Sequence, residues 1–285
     1  MNVQKTVLDR YSKGAKEVQP ALCCPVDYDA GLLAMLPKEI VDKDYGCGDP
    51  SRYVRKGDVV LDLGSGSGKI CYMAAQLVGP SGFVIGVDMN DDMLALAGKY
   101  QAEMADKLGG QRVRFVKGHI QDLALDLHAL DDYLAAHPVR THDDLNTLRA
   151  WEDTQRRERP LIADHSVDLV ISNCVLNLVD EADKRQLVSE IYRVLKPGGR
   201  IYVFEHNPRN PLVRYVIART PIDENAILLD AREVRHGLLD AARYELETDY
   251  LMFMPPGIAF LAPVDRTLAW LPLGAQYVVA ARKAA

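Results

Sequence analysis

Three sets of residues in this chain have the types and spacing to do chemistry. They are a glycine-rich turn from Gly64 to Lys69 (GSGSGK), two strand-end acids at Asp62 and Asp88, and five cysteines. The turn closes an apolar run, VVLDL, that contains Asp62, and it opens a helix-compatible stretch, ICYMAAQLV. Strand, tight turn and helix in that order are the opening of a nucleotide-binding α/β unit. Glycine has no Cβ, so the backbone can turn sharply and lie flat against a ligand, and the N–H groups that start the helix point at it.

The spacing separates ligand classes. A dinucleotide fingerprint, G-x-G-x-x-G, would need a glycine at Lys69; a phosphate loop would need one at Leu63 and a Ser or Thr at Ile70. G-x-G-x-G behind an acid suits a ligand without phosphates, and S-adenosylmethionine (SAM) is such a ligand. Asp62 is placed to meet its amine, and Gly64, Ser65 and Gly66, with Gly68 completing the turn, to pass beside its methionine portion. The second strand, Phe83–Met89, carries Asp88, 24 positions after Gly64, where an acid accepts hydrogen bonds from ribose hydroxyls. NAD presents the same ribose, so Asp88 does not separate the two; the missing third glycine weighs against NAD. After a third strand, Arg112–Lys117, Ile120 is positioned for an adenine face and Gln121 or Asp122 for its amine, with a plain strand end as the alternative.

These residues need a scaffold. Further strands are expected at Val167–Asn173, Arg200–His206, Tyr244–Phe253 and Gln276–Arg282, and helices at Asn90–Asp106 (Asn90 as cap), Glu181–Leu195 and Asp230–Ala242. KPGG at Lys196–Gly199 reads as a helix stop and turn. The fold class is therefore α/β, a doubly wound, mostly parallel, seven-stranded sheet. Residues 1–57 form an N-terminal helical cap segment: a mobile amphipathic helix over Met1–Gln19, a loop with Cys23 and Cys24, a helix over Ala30–Val41 interrupted near Pro37, and DYGCGDP lying over the cofactor site. The rest, 58–285, is the ligand-binding domain, with an inserted helical hairpin at 123–164 and a divergent substrate-side part at 205–285.

A chain of 285 residues with 48% hydrophobic content buries a sizeable core, and a net charge of −6 without a Lys/Arg block argues against a nucleic-acid partner. No apolar run is long enough to span a membrane, and no secretory leader pattern opens the chain. Five cysteines (Cys23, Cys24, Cys47, Cys71, Cys174) make an odd set without a framework pattern, which fits a reducing cytoplasm. Cys71 reads as packing. No resident metal is expected.

DYGCGDP, LDLGSGSGK, VIGVDM, SNCVLNLV and YRVLKPGG together resemble the class I SAM-dependent methyltransferases. More narrowly, YGCG before the first strand and SNCV after the fourth are similar to the arsenite methyltransferases, over roughly residues 22–204. That resemblance implies that Tyr45, Gly46, Asp62, Gly64, Ser65, Gly66, Asp88, Met89, Ile120, Gln121 and Asn173 line the cofactor. It implies that Cys47 and Cys174 bind arsenic, with Cys23 or Cys24 as a third ligand. Thiolates are natural ligands for soft trivalent arsenic. Its free lone pair can then attack the SAM methyl, so alignment is most of what the protein must supply.

The chain departs from that family after Cys174, where no further cysteine follows. Two thiolates would still hold an already methylated arsenical, and inherited pocket lining is the bland alternative for Cys47 and Cys174. A small organic O, N, S or C acceptor is the alternative substrate class, with His206 or Glu205 at the fifth strand's end as base. An NAD-linked oxidoreductase, or a protein that binds SAM or arsenic without catalysis, stays open. The acceptor and the oligomeric state are not legible in the sequence.

Overall fold

The computed structural model describes residues 3–18, 28–46, 48–217, 228–241, 244–253 and 267–284. Seven strands form one sheet: β1 (Val59–Leu63), β2 (Phe83–Asp88), β3 (Val113–Lys117), β4 (Val167–Asn173), β5 (Leu195–His206), β6 (Tyr244–Leu251) and β7 (Gln276–Lys283). Their order is β3-β2-β1-β4-β5-β7-β6. β1 to β5 pair in parallel, while β7 runs antiparallel to both β5 and β6. The winding reverses between β1 and β4, and ligands of open α/β sheets bind outside the strand ends at such a point.

VVLDL, FVIGVD and VDLVISN are almost continuously apolar because both faces of the sheet are covered. One face packs Leu61, Leu63, Val170 and Val203 with α9 (Glu181–Val194) and α11 (Ala231–Ala241). The other packs Val60, Val84, Leu169 and Ile171 with α4 (Lys69–Val78) and residues of α3 (Lys38–Asp42). Core positions thus alternate along β1 and β4 between the two clusters, as a period of two requires.

Three expected elements differ in detail. The helix after Asp88 is two: α5 (Asp91–Lys99) and α6 (Gln101–Leu108), broken at Tyr100. Asn90 does cap the first, accepting from the N–H groups of Asp92 and Met93. KPGG is not outside the fifth strand but within it: Leu195 pairs with Val167, the register then slips, and Arg200 pairs with Leu169. The N-terminal helix, α1 (Val3–Lys16), is docked against α5, where Asn90 donates to the Leu8 carbonyl at 3.0 Å and to Ser12 Oγ at 3.1 Å.

Two further expected elements form among the described residues. The Ala30–Val41 stretch is α2 (Ala30–Ala34) and α3, parted by Pro37, and Pro50 opens a short 3-10 turn capped by Asp49. The insertion is a hairpin of α7 (Leu127–Ala136) and α8 (His142–Glu158), whose helices bury no residue. It is tied to the sheet edge by Lys117 to Asp131 and by Arg156 to Asp122.

Gly68 is the glycine whose conformation the fold most requires. It caps α4 at φ +84°, and a Cβ there would lie 2.6 Å from the Phe115 ring and 3.1 Å from Ala97. Gly68→Ala combines left-handed strain with overpacking, so a loss of about 2–4 kcal/mol is expected. The midpoint of urea unfolding measures it.

Candidate functional site

A crevice of about 1050 Å³, counting its open mouth, lies over the carboxyl ends of β1, β2 and β4. Small-molecule sites usually enclose about 300–1,000 Å³. The glycine turn forms its floor. Gly64 and Gly66 take φ of +71° and +51°, and the space above Gly66 is open to 4 Å. Gly64 instead faces the Val175 side chain, so the turn and the segment after β4 pack edge to edge. Gly68 is absent from the lining; it seats α4 on β3 from behind, a correction to its expected role in the cofactor contact.

Two of the carboxyl groups that face the crevice, Asp62 and Asp88, stand at strand ends beside the glycine turn. Asp62, at 3% exposure, is pushed up to about 7 by burial, and no cation offsets it. The Cys71 thiol donates to one of its oxygens at 3.2 Å. Cys71 is therefore more than packing: it holds the carboxyl group from the helix side, and its own thiol is raised well above the usual value by burial and by Asp62. Asp88 is also raised by burial, although the N–H of Gly66 donates to one oxygen and that of Asn90 to the other, each at 2.9 Å. The Met89 N–H is a third backbone donor to this group, and the carboxylate, with about four lone-pair sites, still has acceptor capacity for a hydroxyl.

The expected lining residues converge. Met89, Ile120 and Gln121 wall the β2–β3 side; Tyr45, Gly46 and Asn173 wall the opposite side, with Cys174 beside them. Asp122 is not among the lining residues: its Oδ2 meets Arg156 Nε and Nη2 at 3.0 Å each, and its Oδ1 accepts from the Leu125 N–H at 3.3 Å. Asn173 lines the crevice but spends its amide on the cap loop: it accepts from the Gly48 N–H and donates to the Gly48 carbonyl, both at 2.9 Å. Loop and strand end are so close that a Cβ at Gly46 would meet Asn173 at 2.4 Å and one at Gly48 would meet Phe204 at 2.5 Å. Asn173→Ala leaves both Gly48 groups unpaired, and a stability loss of about 2–3 kcal/mol is expected in thermal unfolding.

The far end of the same loop is held by charge. Asp44 pairs with the buried Lys69 Nζ at 2.5 Å, and that ammonium also sits 3.7 Å from the Tyr28 ring centroid. The lysine that ends the glycine motif therefore clamps the cap loop. Cys174 adopts φ +58°, its N–H donates to the Phe204 carbonyl at 2.9 Å, and its sulfur is disulfide-bonded. Cys23, Cys24 and Cys47 lie outside the described residues.

The two candidate bases are not part of the crevice lining. Glu205 is 1% exposed and pushed up to about 8 by burial; it accepts from the backbone N–H of Leu176 at 3.1 Å and of Asn177. His206 is held below its ordinary value by burial. Among the described residues, neither side chain is part of the wall around Asp62 and Asp88.

Comparison with known proteins agrees with this architecture. Two models of a methyltransferase domain match, at residues 54–139 and 152–203. An arsenic(III) S-adenosylmethionine methyltransferase from Chlamydomonas reinhardtii superposes with a TM-score of 0.56 at 28% identity, covering 93% of this chain and 74% of that one. The chain has the class I methyltransferase fold. Arsenite methyltransferases of Aquipseudomonas alcaligenes and Halobacterium salinarum are 34% and 35% identical over 70% and 62% of the chain. The chain spans 49% and 34% of their lengths, so it covers half or less of each of these curated relatives.

Several lining residues of the crevice escaped the sequence reading. Leu8 and Tyr11 of α1, Asp44, and Leu178 to Asp180 after β4 all face the crevice. Tyr11 stands 6.3 Å from the Tyr45 ring, and Tyr45 donates to the Gly14 carbonyl at 3.0 Å, so α1 closes over the site through the cap loop. A polar helix 50 residues before the glycine motif carries no local sign of that docking; only the Asn90 cap, at the first turn beyond Asp88, hints that something must satisfy its amide. Among the described residues, no helix is long and apolar enough to cross a membrane.

Proposed function

We propose that this chain catalyses SAM-dependent methylation of a trivalent arsenical held by cysteine thiolates. The observation that carries the reading is the placement of Cys174 on the wall of the same crevice that holds Asp62, Gly66 and Asp88. The residues present fit the cofactor. Asp62 is a buried carboxyl without a cation, suited to an ammonium; Asp88 keeps acceptor capacity for ribose hydroxyls; and the open space above Gly66 admits a chain that a Cβ would crowd. Ile120 and Gln121 would take the adenine.

When bound, SAM would supply an electrophilic methyl carbon with its thioether sulfur as leaving group, and a thiolate-held arsenical would present its lone pair to that carbon. The protein's part is alignment. Cys174 would anchor arsenic, with Cys47 and either Cys23 or Cys24 as the expected partners in sequence. The disulfide at Cys174 must first be reduced, so a thiol reductant is a required co-reactant, and a reducing cytoplasm is the compartment that would keep the site ready. The lone pair is the nucleophile, so no general base is needed, in keeping with Glu205 and His206 lying outside the lining. On this reading residues 1–57 are a cap that carries thiols to the domain at 58–285, with the hairpin at 123–164 bracing the adenine end through Arg156.

The test is transfer of a labelled methyl group from SAM in the presence of arsenite and excess dithiol. Labelled methylarsenicals support the reading. Label on an added organic acceptor, with none on arsenic, replaces it with the organic-acceptor alternative, and NAD binding without SAM binding removes the cofactor assignment.

A further inference from the structure

The wall that carries Cys174 has an unusual support. After β4 the chain runs through Cys174 into a 3-10 turn at Leu176–Leu178, and Val179 and Asp180 continue the crevice lining. Two contacts fasten this segment to β5. The Cys174 N–H donates to the Phe204 carbonyl at 2.9 Å, and the next residue of β5, Glu205, turns its carboxylate under the turn to receive the N–H groups of Leu176 and Asn177. Those are donors at the start of a turn, which have no partner within it. Cys174 itself sits at φ +58°, a left-handed conformation that costs a non-glycine residue about 1–2 kcal/mol and persists only where the surroundings impose it.

Glu205 has no other evident task. It is 1% exposed, outside the lining, and no lysine or arginine forms an ion pair with it among the described residues. Burying a carboxyl group is costly unless its hydrogen bonds repay it. A core position facing Leu176 would be filled more stably by an apolar residue, unless the turn must be held in one place.

We propose that Glu205 is a positioning residue for the acceptor-binding thiol: its side chain grips the turn after Cys174 and so fixes the cysteine in its left-handed conformation on the crevice wall. The inference rests on the proposed reading for its catalytic meaning, but the positioning itself is independent of the acceptor.

The test uses the full-length protein, reduced with excess dithiol and then pulsed with iodoacetamide, with alkylation of the Cys174 peptide followed by mass spectrometry. Glu205→Ala, which removes the grip, is expected to raise the Cys174 rate about tenfold at matched folded fraction. Glu205→Gln, which retains a carbonyl acceptor of the same reach, restores it to within about threefold of the parent. Leu238→Ala, a buried leucine of α11 in the same core cluster as Leu176, controls for general loosening of that core and should leave the rate unchanged. In the methyl-transfer assay, KM for the acceptor rises in Glu205→Ala while the dissociation constant for SAM stays within twofold. Should Glu205→Ala not fold, the Gln variant decides, with a detectable but smaller rise expected. An unchanged Cys174 rate in folded Glu205→Ala (or in Glu205→Gln where the Ala variant does not fold), or an equal rise in Leu238→Ala, overturns the proposal. If arsenic methylation is absent while the alkylation rates shift as stated, the positioning role stands and the proposed substrate falls.

Discussion

SAM binding should weaken about tenfold between pH 8 and pH 6, and about tenfold again by pH 5. The cause is Asp62. In the free protein burial pushes this carboxyl group up to about 7, so at pH 8 it is mostly ionised and at pH 6 mostly protonated. An ammonium ligand selects the ionised form, and below the free-state value the ionised fraction falls tenfold per pH unit. Calorimetry at pH 6 in buffers of differing ionisation heat should therefore show close to one proton released per SAM bound. Asp62→Asn should bind more weakly at pH 8, by about ten- to a hundredfold for a lost charge-assisted bond, and lose the proton release. A flat pH profile in the parent protein would mean that the amine is held elsewhere.

The same group has a consequence for stability without ligand. Its folded value lies above its ordinary 3.8, so the folded state keeps a proton that the unfolded chain releases. Stability is therefore greatest below about pH 4 for this group and is lost as the pH rises toward 7. Glu205, raised from 4.5 to about 8, acts in the same direction over a window ending one unit higher. SAM reverses the Asp62 part by supplying the missing cation, so the protection it confers should grow with pH.

The second large effect concerns Cys174. Cys174→Ser should lower arsenic methylation by about a thousandfold or more while leaving the SAM dissociation constant within twofold. A hydroxyl is a hard ligand for a soft element, so the acceptor loses its anchor and with it the alignment that converts an encounter into a unimolecular step. Cys71→Ser is the informative companion, because that thiol faces Asp62 and not the crevice. It should keep methylation and alter SAM binding instead, since a serine still donates to the carboxylate but from a shorter bond length. Full activity in Cys174→Ser would remove thiolate anchoring at this position.

What the sequence made legible follows from period and punctuation. Strands buried on both faces announce themselves as apolar runs, and VVLDL, FVIGVD and VDLVISN fall where expected because nothing tertiary competes with them. Asp62 and Asp88 were found by their offsets from the glycine turn, since the strand-turn-helix unit converts spacing into position. The limits are just as physical. Gly68 belongs to the same motif as Gly66, yet one packs against Phe115 and the other opens on the crevice, a distinction set by β3 and invisible locally. Lys69 ends the glycine motif, but its pairing is set by Asp44, 25 residues earlier across the fold, which no local pattern announces. Asp122 looked equivalent to Gln121 until the inserted hairpin supplied Arg156. Glu205 read as a base because strand ends often carry one; its carboxylate is turned under a neighbouring loop, and no pattern within β5 records that.

Anomalous X-ray scattering at the arsenic edge, from crystals of the reduced protein soaked with a trivalent arsenical and S-adenosylhomocysteine, tests the central claim most directly. One arsenic peak is expected, bonded to Cys174 Sγ and facing the cofactor sulfur across the floor formed by Gly64 and Gly66. Arsenic bound away from Cys174, or a nucleoside lying outside the crevice between Asp62 and Asp88, would contradict it.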